Sequence, residues 1–284
     1  MGKAYAFKLQ FDVLSPILIG TSSRVGSIKE ALKVGKYYMI PSSSWKGTLK
    51  REALSEALYM PLSQEAKALV EEHLRVSDEK FGVHSGSDCA SLPQVKEKNG
   101  SVDVSEIRKN LEPELYHLMH QSLSIEEVKR YMCSALKSFA CPLDSIFGSI
   151  YFTSLANFSS SVFAGKPEIR TKVTIDRETM TAAEGHLYSE EEVWPLDGLT
   201  LYVTLIVPER RILYGYTRDP ELITALWIKM LMKLSDLGTS IGSGKSKGLG
   251  LIKLNADKSQ YAAIPESGES YSWKGLSEFL NKTY

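Results

Sequence analysis

Tyr5, Phe7, Leu9, Phe11 and Val13 alternate with smaller or polar residues, a period of two that predicts a half-buried strand ended by Ser15-Pro16. Residues 20 to 35 read as a long loop or irregular hairpin, and Lys36 to Ile40 as a short strand stopped by Pro41. The period then changes. Trp45, Leu49, Ala53 with Leu54, and Ala57 with Leu58 recur at helical spacing, with Arg51, Glu52 and Glu56 turned outward. Ser42, Ser43 and Ser44 stand ahead of this run as N-capping hydroxyls. Residues 61 to 140 read as a mostly helical insertion, with helices over Ser63 to Arg75, Val104 to Gln121 and Ile125 to Leu136 and a polar loop between them.

After Cys141 the pattern returns to strands: Tyr151 to Phe158, Arg170 to Asp176 paired with Gly185 to Val193, and Thr200 to Val207. Arg177 to Glu184 would join the middle pair as a projecting hairpin with Arg177, Thr179 and Met180 near its tip. An amphipathic helix over Leu222 to Leu234 leads into a glycine-rich loop and a last strand, Leu249 to Leu254. Without the insertion the order is strand, strand, helix, then strand, helix, strand. That order suits an α+β class with a ferredoxin-like (RRM-like) sheet and helices on one side. The expected domain therefore comprises 1–60 and 141–284, with the hairpin at about 166–195 and the insertion at 61–140.

Composition narrows the function classes. Hydrophobic residues make up 43% and charged residues 24%, as in ordinary globular chains. No apolar run approaches the ~18 residues of a membrane span, and the strand-like N-terminus lacks the apolar stretch of a signal peptide. Three widely spaced cysteines argue against a disulfide framework and suit a reducing, cytoplasmic setting. Basic and acidic residues balance at 34 each, yet residues 1–60 hold nine basic against four acidic side chains. Glu190, Glu191 and Glu192 cluster elsewhere. Local basic surface on a neutral chain is compatible with nucleic-acid binding.

Two stretches suit phosphate. Gly238 to Gly250 contains five glycines in thirteen residues, with Ser243, Lys245, Ser246 and Lys247 between them. Glycines at Gly242 and Gly244 allow close approach to backbone amides, which can form an anion-binding concavity. A nucleotide P-loop would need glycine at 239, which is Thr, and a strand-loop-helix order, which is reversed here. The second stretch is the helix start, where the serines, Lys46 and Lys50 one turn apart, and free amides share one end.

Four motifs in order resemble the RAMP superfamily of CRISPR-associated proteins, specifically the backbone (Cas-seven-like) subunits of type III (Csm/Cmr-type) effector complexes. Ile40-Pro-Ser-Ser-Ser-Trp-Lys46-Gly-Thr-Leu-Lys50-Arg51 is similar to that family's "IPGSSLKGxLR", and Cys141 to Ser149 to its "CPxCxLFGS". Val173 to Glu192 is similar to its "IDRxTGxAxxGxLxxxE" hairpin, and the glycine loop stands where the family has its own. The resemblance implies a CRISPR RNA-binding structural subunit in antiviral defence. Its partners would be the guide, target single-stranded RNA, other RAMP subunits and copies of itself, with no membrane. Ser42, Ser43, Ser44, Lys46, Lys50, Arg51 and Gly242 to Lys247 would hold the guide backbone. Arg170, Lys172 and Arg177 would contact phosphates, with Thr179 beside Met180, which would wedge against a base. A filament-end cap of the same complex, or a target-RNA-cleaving endoribonuclease, are the alternatives.

Cleaving relatives use a loop aspartate after the first strand. Residues 20–35 contain none, and Glu30 is their sole carboxylate beside Lys29. No catalytic residue is therefore expected, since lysine cannot hold Mg²⁺. An RNA-processing nuclease would need a histidine base in the first half, and the first histidine is His73, in the insertion. Family members can hold zinc through a His/Cys cluster at the CPxC turn, but Asp144 replaces the second cysteine here. His84, Cys89, His117, His120 and Cys133 lie scattered upstream, so no metal ligands and no cofactor are expected. The glycine loop is expected to be mobile without RNA.

Overall fold

The structure, a computed structural model, describes residues 2–20, 28–75, 77–85, 89, 97–98, 101–102, 124–175, 180–265 and 270–281. The chain begins with β1 (Lys3–Val13), then β2 (Ile28–Lys29), β3 (Lys33–Val34), β4 (Tyr37–Ile40), α1 (Ser42–Ala57) and α2 (Gln64–Glu72). The insertion contributes β5 (Glu97–Lys98), β6 (Ser101–Val102) and α3 (Ile125–Ala140), followed at once by α4 (Pro142–Phe147). Next come β7 (Ala156–Phe158), β8 (Ser161–Phe163), β9 (Gly165–Ile175), β10 (Ala182–Pro195), β11 (Leu199–Val207), β12 (Arg211–Leu213) and β13 (Tyr216–Arg218). The remainder is α5 (Pro220–Asp236), β14 (Thr239–Ser240), β15 (Leu251–Leu254), β16 (Gln260–Ile264), β17 (Lys274–Gly275) and α6 (Leu276–Leu280).

This is a mixed α+β architecture around a seven-stranded antiparallel sheet, with β14-β15-β1-β11-β7 along its main path. The alternation read in β1 is the burial pattern found: Tyr5, Phe7, Leu9 and Phe11 are buried, and the residues between them are not. β11 pairs with all of this strand's core segment, from Lys3↔Val207 to Phe11↔Leu199. β15 and β16 share the other edge of β1, at Phe11↔Leu254 and Ala4↔Ile264. α1 and α5 pack on the inward face of the sheet through Trp45, Leu49, Ala53, Leu226, Trp227 and Met230. Phe7 meets Trp227 at 5.6 Å and Phe11 meets Trp45 at 4.9 Å between ring centroids. One apolar cluster thus fixes both helices against one sheet.

The hairpin is present as β9 and β10, paired from Pro195↔Gly165 to Ala182↔Ile175 with a register shift between Ala182 and Leu187. β2 adds to β10 in parallel at Ser189↔Ile28. Glu191 makes this junction: its buried carboxylate accepts from the Ala31 amide and the Tyr38 hydroxyl, both at 3.0 Å, and pairs with Lys33 at 2.9 Å.

Several expectations are corrected. The helix N-cap is Pro41 and no side chain caps it, so Ser42, Ser43 and Ser44 form the first turn instead. Trp45 pulls this turn inward by donating its indole N–H to Ser161 Oγ. Glu52 is not outward: it is 8% exposed, because three polar partners neutralise it inside. The strand expected over Tyr151 to Phe158 shortens to β7, as Ser149 Oγ accepts from the amides of Tyr151 and Phe152 in a turn. Cys89 and Cys133 form a disulfide, with Cα atoms 5.7 Å apart across 44 residues. Wide sequence spacing does not exclude a pair that folding brings together. The helix expected over Val104 to Gln121, with His117 and His120, lies outside the described residues.

Candidate nucleic-acid interface and metal centre

α1 carries its basic residues on two flanks. On one flank, Arg51 reaches β14, donating from Nη2 to Thr239 Oγ1 at 3.0 Å and to the Ser240 carbonyl at 3.2 Å. Glu52 closes this junction, accepting from Thr239 Oγ1 at 2.7 Å and pairing with Lys233 of α5 at 3.0 Å and Arg51 at 2.8 Å. Burial works against its charge, but Thr239, Arg51 and Lys233 hold its carboxyl below the usual carboxylate range. The glycine loop therefore leaves β14 directly beside Arg51.

All five loop glycines have positive φ. At Gly250 a Cβ would lie 1.9 Å from the Ile241 carbonyl oxygen, and at Gly242 2.5 Å from that of Leu18, so neither position tolerates a side chain. Contrary to the expected mobility, the loop is fastened. Ile241 donates to Gly250, Ser243 to Leu18, and Gly250 to Pro16, at 2.7–2.9 Å. A 3₁₀ turn, Lys245–Lys247, is flanked by Gly244 and Gly248 in the left-handed conformation. The amides of Ser243, Lys247, Gly248 and Leu249 are spent within the protein. An anion would meet instead those of Gly242, Gly244, Lys245 and Ser246. Burial lowers the Lys245 ammonium's pKa, and the positive charge of Arg51 lowers it further. Glu52, paired with Arg51, partly offsets that repulsion. α1 and the glycine loop thus converge through Arg51, which reaches Ser240 across 189 residues of chain, and Lys245.

The other flank, Lys46 and Lys50, faces a cavity of about 750 Å³ whose wall includes Asp144, His84, Ser149 and Ser154. The hairpin is different. Arg170 pairs with Glu192 at 3.2 Å, and Lys172 pairs with Glu190 at 2.6 Å and Glu192 at 3.0 Å. These two cations serve cross-strand pairs, so their expected phosphate role loses its free charge. On the opposite face of β9, Ile169 and Val173 stand exposed. Met180 is 77% exposed with φ of +55°. Arg177 and Thr179 lie outside the described residues.

Against the expectation of no metal ligands, folding gathers His73, His84, Cys141 and Asp144, whose donor atoms all lie within 4.8 Å of one another. His73 follows α2, His84 lies in the insertion, and Cys141 and Asp144 open α4. His73 Nε2 is 3.4 Å from Cys141 Sγ and 3.5 Å from Asp144 Oδ1, and His84 Nε2 is 3.3 Å from Asp144 Oδ2. Tetrahedral zinc with bonds of about 2.0–2.3 Å has ligand separations of about 3.3–3.8 Å. His84 Nε2 is buried without a well-directed hydrogen bond. Its Nδ1 lies 2.7 Å from Glu72 Oε2, and Glu72 Oε1 accepts from Lys137 at 3.0 Å. A carboxylate on the outer nitrogen is the support that turns the inner nitrogen toward a metal.

Burial pushes His73 down to about 4, leaving it neutral, as a ligand must be. Burial opposes charge on His84, yet Asp144, Cys141 and Glu72 together hold it up to about 11, so without metal it carries a proton that a bound dication would have to displace. The donors suit zinc, which would cross-link the insertion to the α4 turn. The one member of the cluster that the sequence pattern does not bring to the CPxC turn is His73, since it lies 68 residues before Cys141. The signal available was the pair Cys141-Pro-Leu-Asp144, with histidines upstream.

The family model of the RAMP superfamily matches residues 10–253, a span that includes α1, the α4 turn, the hairpin and the glycine loop. No curated protein matches the chain.

Proposed function

The chain belongs to the RAMP superfamily, and on that premise we propose that it is a CRISPR RNA-binding structural subunit of a type III interference complex. Membership carries a CRISPR-associated, RNA-binding role; the subunit and complex type are our reading. The convergence of α1 and the glycine loop through Arg51 and Lys245 carries it. A surface of that kind holds a phosphodiester backbone without reading bases, as a protein accepting any guide requires.

Other features support the same reading. The strand order β15-β1-β11-β7, with α1 after β1 and α5 after β11, agrees with a ferredoxin-like core into which 61–140 is inserted. The exposed Ile169 and Val173 give β9 an apolar face, and Met180 is exposed as well, all able to pack against bases. Glu30 is the only carboxylate in the loop after β1, and we assign the subunit no cleavage of its own.

The test is binding of fluorescent single-stranded RNA by fluorescence anisotropy. Changing Lys46, Lys50, Lys245 and Lys247 together to Ala is expected to weaken binding by about tenfold or more at 100 mM salt. Undiminished affinity would sink the proposal.

A further inference from the structure

One side chain belongs both to the metal centre and to the basic flank of α1. Asp144 Oδ1 lies 3.5 Å from Lys50 Nζ and 3.5 Å from His73 Nε2. Its Oδ2 accepts from Ser138 Oγ at 2.8 Å and lies 3.3 Å from His84 Nε2. Lys50 is part-exposed, whereas Asp144 is buried, and both border the cavity that Lys46 also lines. Ser149 and Ser154 bring hydroxyls to the same wall. The counter-ion of a lysine at an anion-suited cavity is thus also a donor in the four-residue cluster.

We propose that a divalent metal in the cluster and an RNA phosphate in the cavity beside Lys46 and Lys50 bind cooperatively, with Asp144 as the link. This rests on the RNA-binding reading above and deepens it. Without metal, the Asp144 carboxylate competes with phosphate for Lys50. With metal, its oxygens are committed to the dication and Lys50 turns its charge to the cavity. The dication also offsets the negative charge of Asp144 and Glu72 that an incoming phosphate would otherwise meet. Lys50 can act this way because it is itself no ligand. Linkage requires the effect to run both ways: RNA must tighten metal binding by the same factor that metal tightens RNA.

The experiment uses the full chain under reducing conditions, stripped with a chelator and reloaded with Zn²⁺. Anisotropy with a 15-nucleotide oligouridylate measures RNA affinity of each form, and competition with a chromophoric chelator measures Zn²⁺ affinity with and without that RNA. The expected result is about tenfold tighter RNA binding by the loaded form, and the same factor in Zn²⁺ affinity. Lys50→Met, having lost a cation beside the cluster, is expected to bind Zn²⁺ at least as tightly as the parent but to lose most of the coupling. Should the stripped form unfold, as gel filtration would show, the comparison moves to the loaded proteins. There RNA must raise Zn²⁺ affinity in the parent and not in Lys50→Met. Equal RNA binding by both forms, or no Zn²⁺ binding, overturns the coupling and leaves the RNA reading standing. No RNA binding by either form overturns both.

Discussion

Glu52 shows how far a single residue's role depends on what the chain wraps around it. Helical spacing placed it among outward charges; the fold puts it between Arg51, Thr239 and Lys233, where it ties α1 to α5 and β14. Replacing it with Gln leaves two cations without a counter-charge, and the expected loss is about 1.5–3 kcal/mol at pH 7. The pH dependence has a definite sign. Its folded pKa lies below the ordinary 4.5, so its stabilisation is complete above about pH 4.5 and disappears as pH falls through the folded value. Urea titrations of parent and Glu52→Gln from pH 7 to pH 3 should therefore converge at the acid end. A constant gap across that range would contradict the assignment. Residue type alone showed that Glu52 is an acid; only packing showed that it is used.

At the scale of elements, the hairpin and the α1–loop junction divide the basic residues between them. Arg170 and Lys172 hold β9 to β10 through Glu190 and Glu192, whereas Arg51 stands beside the glycine loop and Lys46 and Lys50 line the cavity on the other flank of α1. Each phosphate contact adds about 0.7 to the salt slope of single-strand binding. Ala at Arg170 and Lys172 is expected to leave the slope of log affinity against log salt unchanged, while Ala at Lys50 and Lys245 lowers it by about 1.4. Isothermal or anisotropy titrations between 50 and 300 mM salt measure both. Much of this was legible in advance. The alternation Arg170, Thr171, Lys172, Val173 specified a strand with one charged and one apolar side. What it left open was which acids would stand opposite, because cross-strand partners depend on register.

For the molecule as a whole, the insertion is closed on itself by the disulfide Cys89–Cys133 and tied to the rest by the cluster of His73, His84, Cys141 and Asp144. Closing a loop of 44 residues stabilises by about 2–4 kcal/mol in the chain-entropy account. After denaturation without reductant, two of the three cysteines should resist alkylation, and only Cys141, buried in the folded protein, should react. Adding dithiothreitol should lower the thermal midpoint, and Cys133→Ser should no longer respond to it. Three reactive thiols in the denatured, unreduced protein would refute the pairing.

Sequence by itself determined the principal strands and helices and their order, though not the short elements such as Pro142–Phe147 or Gln260–Ile264. Strand alternation, helical spacing and the glycines with positive φ are set by neighbours two to four residues apart, and a linear reading reaches that far. The order of four motifs likewise identified the superfamily that the match over residues 10–253 shows. Tertiary structure alone decided which distant groups meet. His73 and Cys141 stand 68 residues apart in the chain and 3.4 Å apart in space. Arg51 finds Thr239 across 188 residues, and Cys89 finds Cys133. Charge neutralisation, metal-ligand spacing and disulfide geometry are properties of those meetings. The packing of the whole core settles them, and no local pattern encodes that packing.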